Sequence, residues 1–359
     1  MEHKKEAELI WNDNMSVPQL IINGKEQPNL QSFNLNFQGN NQITNCSMKI
    51  GLPDYDENAL FGKIIELYLN NGCTDTVPIF RGIIKEVNTS ETVITLKAVD
   101  VRGYLQGSDA LSINLTDDDN YDGYTVGQFL RKHITDNVNT STTRIGLDFL
   151  NDTSRLVNLT GVRGKIKPLD ACIDKLKQEL DDTDNENPLS YSIDVEEGSL
   201  YSNLVIRKQK LLTEDVSLSL SLHDGITKYT YKRRPVPTIV TVEDTESKNV
   251  YKTTIGNSPQ GPFADNISKK FKDPSQANKH AILHLKKLRN EVNDIQLDAS
   301  KGFYVGIGSL ISIDVNKDDI NGVHRLASKS ITYNGNNGYK LKLQLNKQPI
   351  KVSDYLTVQ

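Results

Sequence analysis

The sequence repeats one short stretch, GKIIELYLN at residues 62–70 and GSLISIDVN at residues 308–316. The two stretches align without a gap: the glycine, one isoleucine and the final asparagine are identical, and the apolar positions between them agree. The copies lie too far apart for a solenoid, whose repeats recur every ~20–50 residues. The self-match therefore predicts two copies of one β-barrel or sandwich. Chance similarity between short strands, which draw on few residue types, is the alternative.

Strand signals extend outward from both copies. The runs are short, rich in β-branched residues and partly alternating, and turn residues such as Asn88–Glu91 and Asn334–Gly338 separate them. In residues 339–345, tyrosine and leucine alternate with lysine and glutamine, which predicts one buried face and one solvated face. The predicted strands are residues 64–69, 79–87, 92–99, 226–231, 238–242, 250–255, 310–315, 323–333 and 339–345.

Three segments have helical periodicity. Thr125 is a predicted N-cap of the first, and Pro168 suits the first turn of the second. The third begins at Asp273 and Pro274, an N-cap followed by an N1 proline. The predicted apolar stripes are Val126, Phe129, Leu130, His133 and Ile134; Leu169, Cys172, Ile173, Leu176 and Leu180; and Ala277, Ala281, Leu285, Leu288 and Val292.

Composition bounds the class of protein. With 359 residues, 25% charged and 36% hydrophobic, the chain is long enough for two to four folded domains and too apolar for disorder. A net charge of −4 gives no general attraction to nucleic acid or anionic membrane. No apolar run reaches the ~20 residues that span a bilayer, and the start of the chain lacks a signal-peptide core, so we expect no membrane insertion. Three scattered cysteines predict free, buried thiols.

The C-terminal stretch carries a resemblance to a known family. Residues Gly306–Ile313, then Gly322–Leu326 and the strand at 339–345, resemble the end of the baseplate hub proteins of contractile-tailed bacteriophages, the late control protein D group. The helix from Asp273 to Val292 occupies the place that such proteins give to a helix before their last barrel. Phe80–Ile84 followed by Ala98–Asp100 is similar to the hairpin that closes the first barrel. The matches are short and cover most of the chain in order.

The resemblance implies a fold class and a domain order. The fold class is mainly β (α+β), multidomain, with two tail-tube-like β-barrels plus smaller α/β lobes. Acidic polar loops at 116–123 and 181–187 bracket a segment richer in helix than its surroundings, which suits a separate middle domain. The expected domains are residues 1–106, a first tube-like barrel; 107–214, a middle α+β domain; 215–240 with 296–359, a second tube-like barrel; and 241–295, an inserted lobe with a helix.

The resemblance also implies a function. Such hubs are homotrimers in which six barrels form a pseudo-sixfold ring that joins a hexameric tail tube to a trimeric spike. The expected partners are a second and third copy of the chain, the tail tube protein, the central spike protein and other baseplate proteins, with DNA passing through the lumen unrecognised. The expected location is the tail baseplate of the virion, assembled in the host cytoplasm. Residues 104–105 and 349–358 are candidates for contacts between subunits.

Motifs for chemistry are weak. His280 and His284 have the i, i+4 spacing of zinc ligands, but Ala281 stands where a zinc protease needs glutamate. Residues 118–123 resemble the start of a calcium loop, but Phe129 replaces the glutamate due at its twelfth position. Residues 161–165 lack P-loop and dinucleotide spacing. We therefore expect no enzyme activity, no catalytic residue, no metal and no cofactor.

Three other interpretations stay open at the level of sequence. Basic clusters at Lys228–Arg234 and Lys269–Lys272, the first with Tyr229 and Tyr231, have the residue types of a single-strand nucleic-acid site, although two tyrosines on one strand face suit a core or an interface better. A tail-associated enzyme that degrades the cell wall, or a fibre protein that binds a receptor or carbohydrate, are the alternatives to a hub.

Overall fold

The fold is seen in a computed structural model. It describes residues 17–39, 42–51, 60–69, 77–106, 112–116, 121, 123–137, 145–147, 164–178, 191–195, 202–233, 238–254, 264–271, 274–290, 293–317 and 320–346. Strands dominate these residues, so the predicted mainly-β class is confirmed.

Thirteen of the strands join in one central sheet. They are β1 (Gln19–Ile22), β2 (Lys25–Gln27), β3 (Leu30–Gln38), β4 (Asn45–Gly51), β5 (Ile64–Tyr68), β6 (Phe80–Thr89), β7 (Val93–Val99), β13 (Leu218–Ser221), β14 (Ile226–Arg233), β18 (Asn293–Ala299), β19 (Leu310–Asp314), β20 (Gly322–Asn334) and β21 (Gly338–Leu345). The other elements are β8 (Ile113–Leu115), helix α1 (Val126–Asn137), β9 (Ile145–Leu147), β10 (Gly164–Ile166), helix α2 (Pro168–Gln178), β11 (Tyr191–Val195), β12 (Ser202–Lys208), β15 (Ile239–Asp244), β16 (Val250–Thr254), β17 (Ala264–Lys269) and helix α3 (Pro274–Asn290).

The central sheet contains the same six-strand unit twice. The first repeat pairs its strands in the order β3-β4-β7-β6-β5-β1, and the second repeat in the order β14-β18-β21-β20-β19-β13. The outermost strands differ, because β1 is antiparallel to β5 whereas β13 is parallel to β19. The register shifts fall at matching places: Leu30/Ser32 in β3 and Ile226/Lys228 in β14, then Ile84/Glu86 in β6 and Leu326/Ser328 in β20. A β-bulge is a specific local feature, so two matched bulges indicate duplication of the whole unit.

The glycine that begins each copy of the repeated stretch has the same structural role. Gly62 and Gly308 have φ of 75° and 85°, a left-handed conformation that glycine adopts at little cost. Gly62 donates its N–H to the carbonyl of Ile84 at 2.9 Å, and Gly308 donates to Leu326 at 2.8 Å. Each acceptor is the residue just before the bulge of its strand. The self-match seen in the sequence is therefore confirmed by the backbone.

Alanine at either glycine is expected to lower the free energy of unfolding by about 1 kcal/mol, because an L-residue is strained in the left-handed region. No atom lies within 4 Å of an added Cβ at Gly62 or Gly308, so backbone strain is the only cost and the two losses should be equal. Gly306→Ala is the control, since its Cβ would meet only ordinary contacts at 3.8 and 3.9 Å. Urea denaturation measures all three; a Gly306→Ala loss as large as the other two would contradict the prediction.

Strand β20 joins the two repeats. One edge of its second half pairs with β21, and the other edge pairs with β3, from Ser328 opposite Gln38 to Asn334 opposite Ser32. Its first residues pair with β19. Phe33 and Tyr333 face each other across this junction with ring centroids 5.9 Å apart. Buried side chains of both repeats therefore belong to one hydrophobic core.

The segment between the repeats has its own core. Helices α1 and α2 pack with β11 and β12 around buried side chains that include Phe129, Leu176 and Ile193. Thr125 begins α1 as predicted: its Oγ1 accepts the N–H of Gln128 at 3.2 Å, and Gln128 Oε1 accepts the N–H of Thr125 at 2.9 Å. This reciprocal pair is a capping box, with glutamine at N3. Leu105 is buried in this core, so its proposed role in contacts between subunits was wrong.

A third, small core lies in the chain between β14 and β18. Helix α3 buries Ala277, Ala281 and Leu285 against Val240 and Val242 of the sheet β16-β15-β17. In the first repeat a short connection joins the equivalent strands, β3 and β4. The lobe is thus an insertion into the second repeat at the position of that connection.

The three predicted helices are confirmed, with α1, α2 and α3 beginning at Val126, Pro168 and Pro274. Leu288 is half-buried, and Leu180 and Val292 of the predicted stripes lie outside the described residues. The domain boundaries given above stay a prediction.

Candidate assembly surface

Seven adjacent strands of the central sheet, β14, β18, β21, β20, β3, β4 and β7, together with the end of β6, have a polar solvated side. In β21, Leu341, Leu343 and Leu345 are buried while Lys340 and Lys342 are exposed, as the alternation predicted. The pattern continues across β20 and β3, where Thr332 lies opposite Asn34 and Ser330 donates from Oγ to Asn34 Oδ1 at 3.4 Å. The repeats therefore present one face of hydroxyl, amide and lysine side chains that crosses their junction. We call it the polar face.

Charges on the polar face are partly paired across strands. Lys342 is opposite Asp298, and Asp298 is opposite Lys228, so a carboxylate lies between two lysines on three neighbouring strands. In the first repeat Lys97 donates to both oxygens of Glu86 at 3.0 and 2.9 Å. Glu86 is exposed, and its hydrogen bonds from Lys97 and Asn88 lower the pKa of this carboxyl. Lysines outnumber carboxylates on the face: Lys49, Lys97, Lys228, Lys232, Lys340 and Lys342 against Glu86, Asp294 and Asp298.

A buried lysine fixes the junction between the repeats. The bulge at Ala327 puts Lys329 on the core side of β20, opposite Phe37 of β3. Its Nζ donates to the carbonyls of Phe303 at 2.8 Å and Val305 at 2.9 Å, and lies 4.3 Å from the Phe37 ring centroid. These contacts satisfy a buried ammonium, which is costly to leave unsatisfied. The side chain therefore ties the loop before β19 to the ladder that joins the repeats.

A buried ion pair links the first repeat to the middle core. Asp100 and Arg102 follow β7, and their side chains are each 2% exposed with Arg102 Nη2 2.7 Å from Asp100 Oδ2. Asp100 also accepts the N–H of Thr44 at 2.7 Å. Burial alone would lower the pKa of the Arg102 guanidinium, but the charge and hydrogen bonds of Asp100 outweigh it and raise that pKa. Arg102 Nη1 reaches the carbonyl of Ile193 in β11 at 3.5 Å and Asp194 at 3.8 Å.

Among the open edges of the described strands, two are equivalent to the strands that join the repeats. Within the described residues β14 pairs with β18 alone, so its outer edge carries backbone donors and acceptors with no strand beside them. In β6, residues beyond the bulge pair with β7 on one edge, while β5 pairs only with residues before the bulge. Strand β3 is the equivalent of β14 and strand β20 is the equivalent of β6, and β3 and β20 pair with each other. Open edges are templates for pairing with another chain.

The motifs considered for metal binding have other contacts in the structure. His284 Nε2 lies 2.8 Å from Asp265 Oδ2, and the His280 ring contacts Phe271 at 5.5 Å between centroids. In the part of the chain that the structure describes, no three metal-binding side chains cluster. Asp118 to Asn120 and Asp122 of the calcium-like motif lie outside the described residues, as do residues 161–163.

The basic clusters lie in different parts of the fold. Lys228 and Lys232 project from the polar face of β14, whereas Tyr229 and Tyr231 pack against the core, as the alternation indicated. Lys269 ends β17 in the inserted lobe, and Lys270 pairs with Glu246 at 3.0 Å. Tyr229 and Tyr231 are thus unsuited to stacking on bases. No helix among the described residues has the length and apolarity to cross a membrane.

Sequence reasoning missed the open edges and the buried groups. Strands β1 to β4, β8 to β13, β17 and β18 were not individually predicted, although the first four lie within the segment expected to form the first barrel. The signal available for β3 and β4 was alternation, since Phe33, Leu35 and Phe37 are buried with polar residues between them. No local signal indicated that Lys329 or Arg102 would be buried.

Comparison with known proteins finds similar folds. A tail protein from Neisseria meningitidis superimposes with a TM-score of 0.64, 15% identity and coverage of 92% of this chain and 95% of that chain. A 43 kDa tail protein of prophage MuSo2 from Shewanella oneidensis superimposes with a TM-score of 0.60 and 12% identity, covering 92% of this chain and 96% of that chain. An Escherichia coli protein superimposes with a TM-score of 0.53 and 11% identity, covering 91% of this chain and 76% of that chain. It is described as a type VI secretion component with structural similarity to the bacteriophage T4 tail proteins gp27 and gp5.

The likeness lies in structure and not in sequence. No family model matches the chain, and no curated protein sequence matches it. The superpositions extend over nearly the whole chain. The chain therefore has the fold of phage tail proteins and of a related type VI secretion component.

Proposed function

We propose that this chain is a non-catalytic structural protein of a phage tail, the baseplate hub that joins a hexameric tube to a trimeric spike. The observation that carries the proposal is the duplicated six-strand unit with its matched bulges. Three chains supply six such units, so one ring matches sixfold symmetry on one side and threefold symmetry on the other. The shared fold with phage tail proteins supports placing this ring in the tail of a virion.

The polar face suits the wall of the channel in such a ring. The polar face is the solvated side of the strands that join the two repeats, and in this proposal it lines the lumen. Side chains such as Ser330, Thr332 and Asn34 bind water and offer no pattern for reading bases. DNA would pass this wall without sequence-specific binding, and the lysines would keep it weakly attractive. The partners in the proposal are the tube protein, the spike protein and other baseplate proteins of a contractile tail.

Light scattering on the purified chain tests the proposal. A solution mass of about three times the chain mass of 40.2 kDa is expected at several concentrations. Electron microscopy of the same sample should show rings with pseudo-sixfold symmetry, because each chain contributes two similar units. A stable dimer, or a chain that remains monomeric with the spike protein present, would contradict the hub.

A further inference from the structure

The internal junction between the repeats is a template for a contact between chains. In the first repeat the edge strand β3 is covered by β20 of the second repeat. In the second repeat the equivalent edge strand is β14, and the counterpart of β20 is β6 of the first repeat. Within one chain the described parts of β14 and β6 do not pair with each other. A pairing equivalent to the internal junction therefore requires β6 from a second copy.

We propose that the open edge of β14 pairs antiparallel with residues Val87–Thr89 of β6 in a second copy of this chain, in the register of the β3–β20 ladder. This inference rests on the proposed hub, since repetition of the contact around three chains closes the ring. It adds the strands, their direction and their register.

The register follows from the matched bulges. Ser330 is the fourth residue after Leu326, and Asn88 is the fourth after Ile84, so these two residues are equivalent. In the edge strands the bulges follow Leu30 and Ile226. Asn36 is the sixth residue after Leu30 and Lys232 is the sixth after Ile226, so these two residues are equivalent. Ser330 is opposite Asn36 in the internal junction. Lys232 is therefore opposite Asn88 of the second copy.

The two residues would form a non-hydrogen-bonded pair. Gly39 donates to the carbonyl of Ala327 at 3.0 Å, which places the inter-strand bonds of the internal ladder at every second residue from there. Asn36 and Ser330 fall between those bonds, on the polar face. Residues in such pairs have Cα atoms about 4.5 Å apart, which is close to the separation that a disulfide accepts.

The length of β6 and the charge of its Glu86 both suit pairing with β14 of another copy. Strand β6 ends at Thr89 because Ser90 turns the chain, with its N–H bonded to the carbonyl of Val93 at 2.9 Å. The contact between chains is thus shorter than the seven-residue internal ladder. Lys232 would also lie diagonal to the exposed Glu86, so opposite charges meet across the junction.

Disulfide trapping tests the register in the full chain. Asn88→Cys with Lys232→Cys, in a Cys73→Ser background and under mild oxidation with diamide, is expected to give covalent dimers and trimers on a non-reducing gel and nothing larger. The native Cys46 and Cys172 are buried, and burial raises the pKa of the Cys46 thiol, so neither competes. Asn88→Cys with Lys228→Cys is the matched control. Lys228 is also an exposed lysine of β14, but it lies four residues, or roughly 13 Å, farther along the strand.

The outcomes separate the contact from the hub. A protein that is trimeric by light scattering but yields no cross-link with the first pair overturns the β14–β6 contact and leaves the hub standing. Equal cross-linking by the control pair overturns the register. A chain that forms no trimer overturns the hub and the contact together. Covalent trimers from the first pair alone support both.

Discussion

Replacing Arg102 with methionine is expected to lower the free energy of unfolding by about 3–5 kcal/mol, because removal of one partner leaves a buried charge uncompensated. Asp100 would keep only its bonds from backbone donors, the N–H groups of Thr44 and Arg102. The contact of the guanidinium with the carbonyl of Ile193 would also be lost. The loss should therefore affect both the end of β7 and the docking of the middle core. Urea denaturation followed by tyrosine fluorescence measures the change.

Controls distinguish the buried charge from a general effect of losing a cation. Lys97→Met breaks an exposed pair, 55% and 46% exposed at its two side chains, and is expected to change the free energy of unfolding far less than Arg102→Met does. Adding Asp100→Asn to Arg102→Met should recover part of the loss, since both buried charges are then removed. An Arg102→Met protein as stable as Lys97→Met would show that the pair does not hold the two cores together.

Replacing Lys329 with alanine is expected to lower the free energy of unfolding by about 3 kcal/mol, from lost hydrogen bonds and an unfilled space. The carbonyls of Phe303 and Val305 would each lose the ammonium, and the Phe37 ring would lose the side chain beside it. Lys329→Met refills most of that space and is expected to regain about 2 kcal/mol. Lys340→Ala, at an exposed lysine on the neighbouring strand, is the control and should be nearly neutral.

Thermal unfolding measures the stability of the Lys329 variants, and light scattering measures their assembly. Because this lysine lies at the ladder between β3 and β20, the alanine variant should lose the ordered pairing of the two repeats before either unfolds. Equal stability of the alanine and methionine variants would mean that packing over Phe37 contributes nothing. A loss in Lys340→Ala equal to that in Lys329→Ala would attribute the effect to net charge.

Local structure could be predicted where the signal was local. Thr125 and Gln128 form a capping box whose two residues are three positions apart, and Pro168 and Pro274 begin their helices through their own fixed φ. The strand at 338–345 needed only the alternation of its own side chains. The repeated glycines could be found because a left-handed position after a loop selects glycine in both copies.

The polar face could not be predicted from its own residues. In β20, His324 and Leu326 are buried, and an unbroken alternation would bury Ser328 and Ser330 as well. The bulge at Ala327 shifts the phase by one residue, so Lys329 and Ile331 take the core side and the serines turn to solvent. A one-residue shift exchanges the two faces of a strand, and its position depends on the partner strands.

The sequence by itself determined the mainly-β class, the duplication, three helices, the Thr125 cap of the first helix and a resemblance to tail hubs. Each of these rests on neighbouring residues or on a direct self-match. The tertiary structure alone decided which strands are neighbours: that β3 pairs with β20 and joins the repeats, and that the equivalent edge of β14 stays open among the described residues. The physical reason is that inter-strand hydrogen bonds join backbone groups, which every residue carries, so a strand's own sequence does not name its partner.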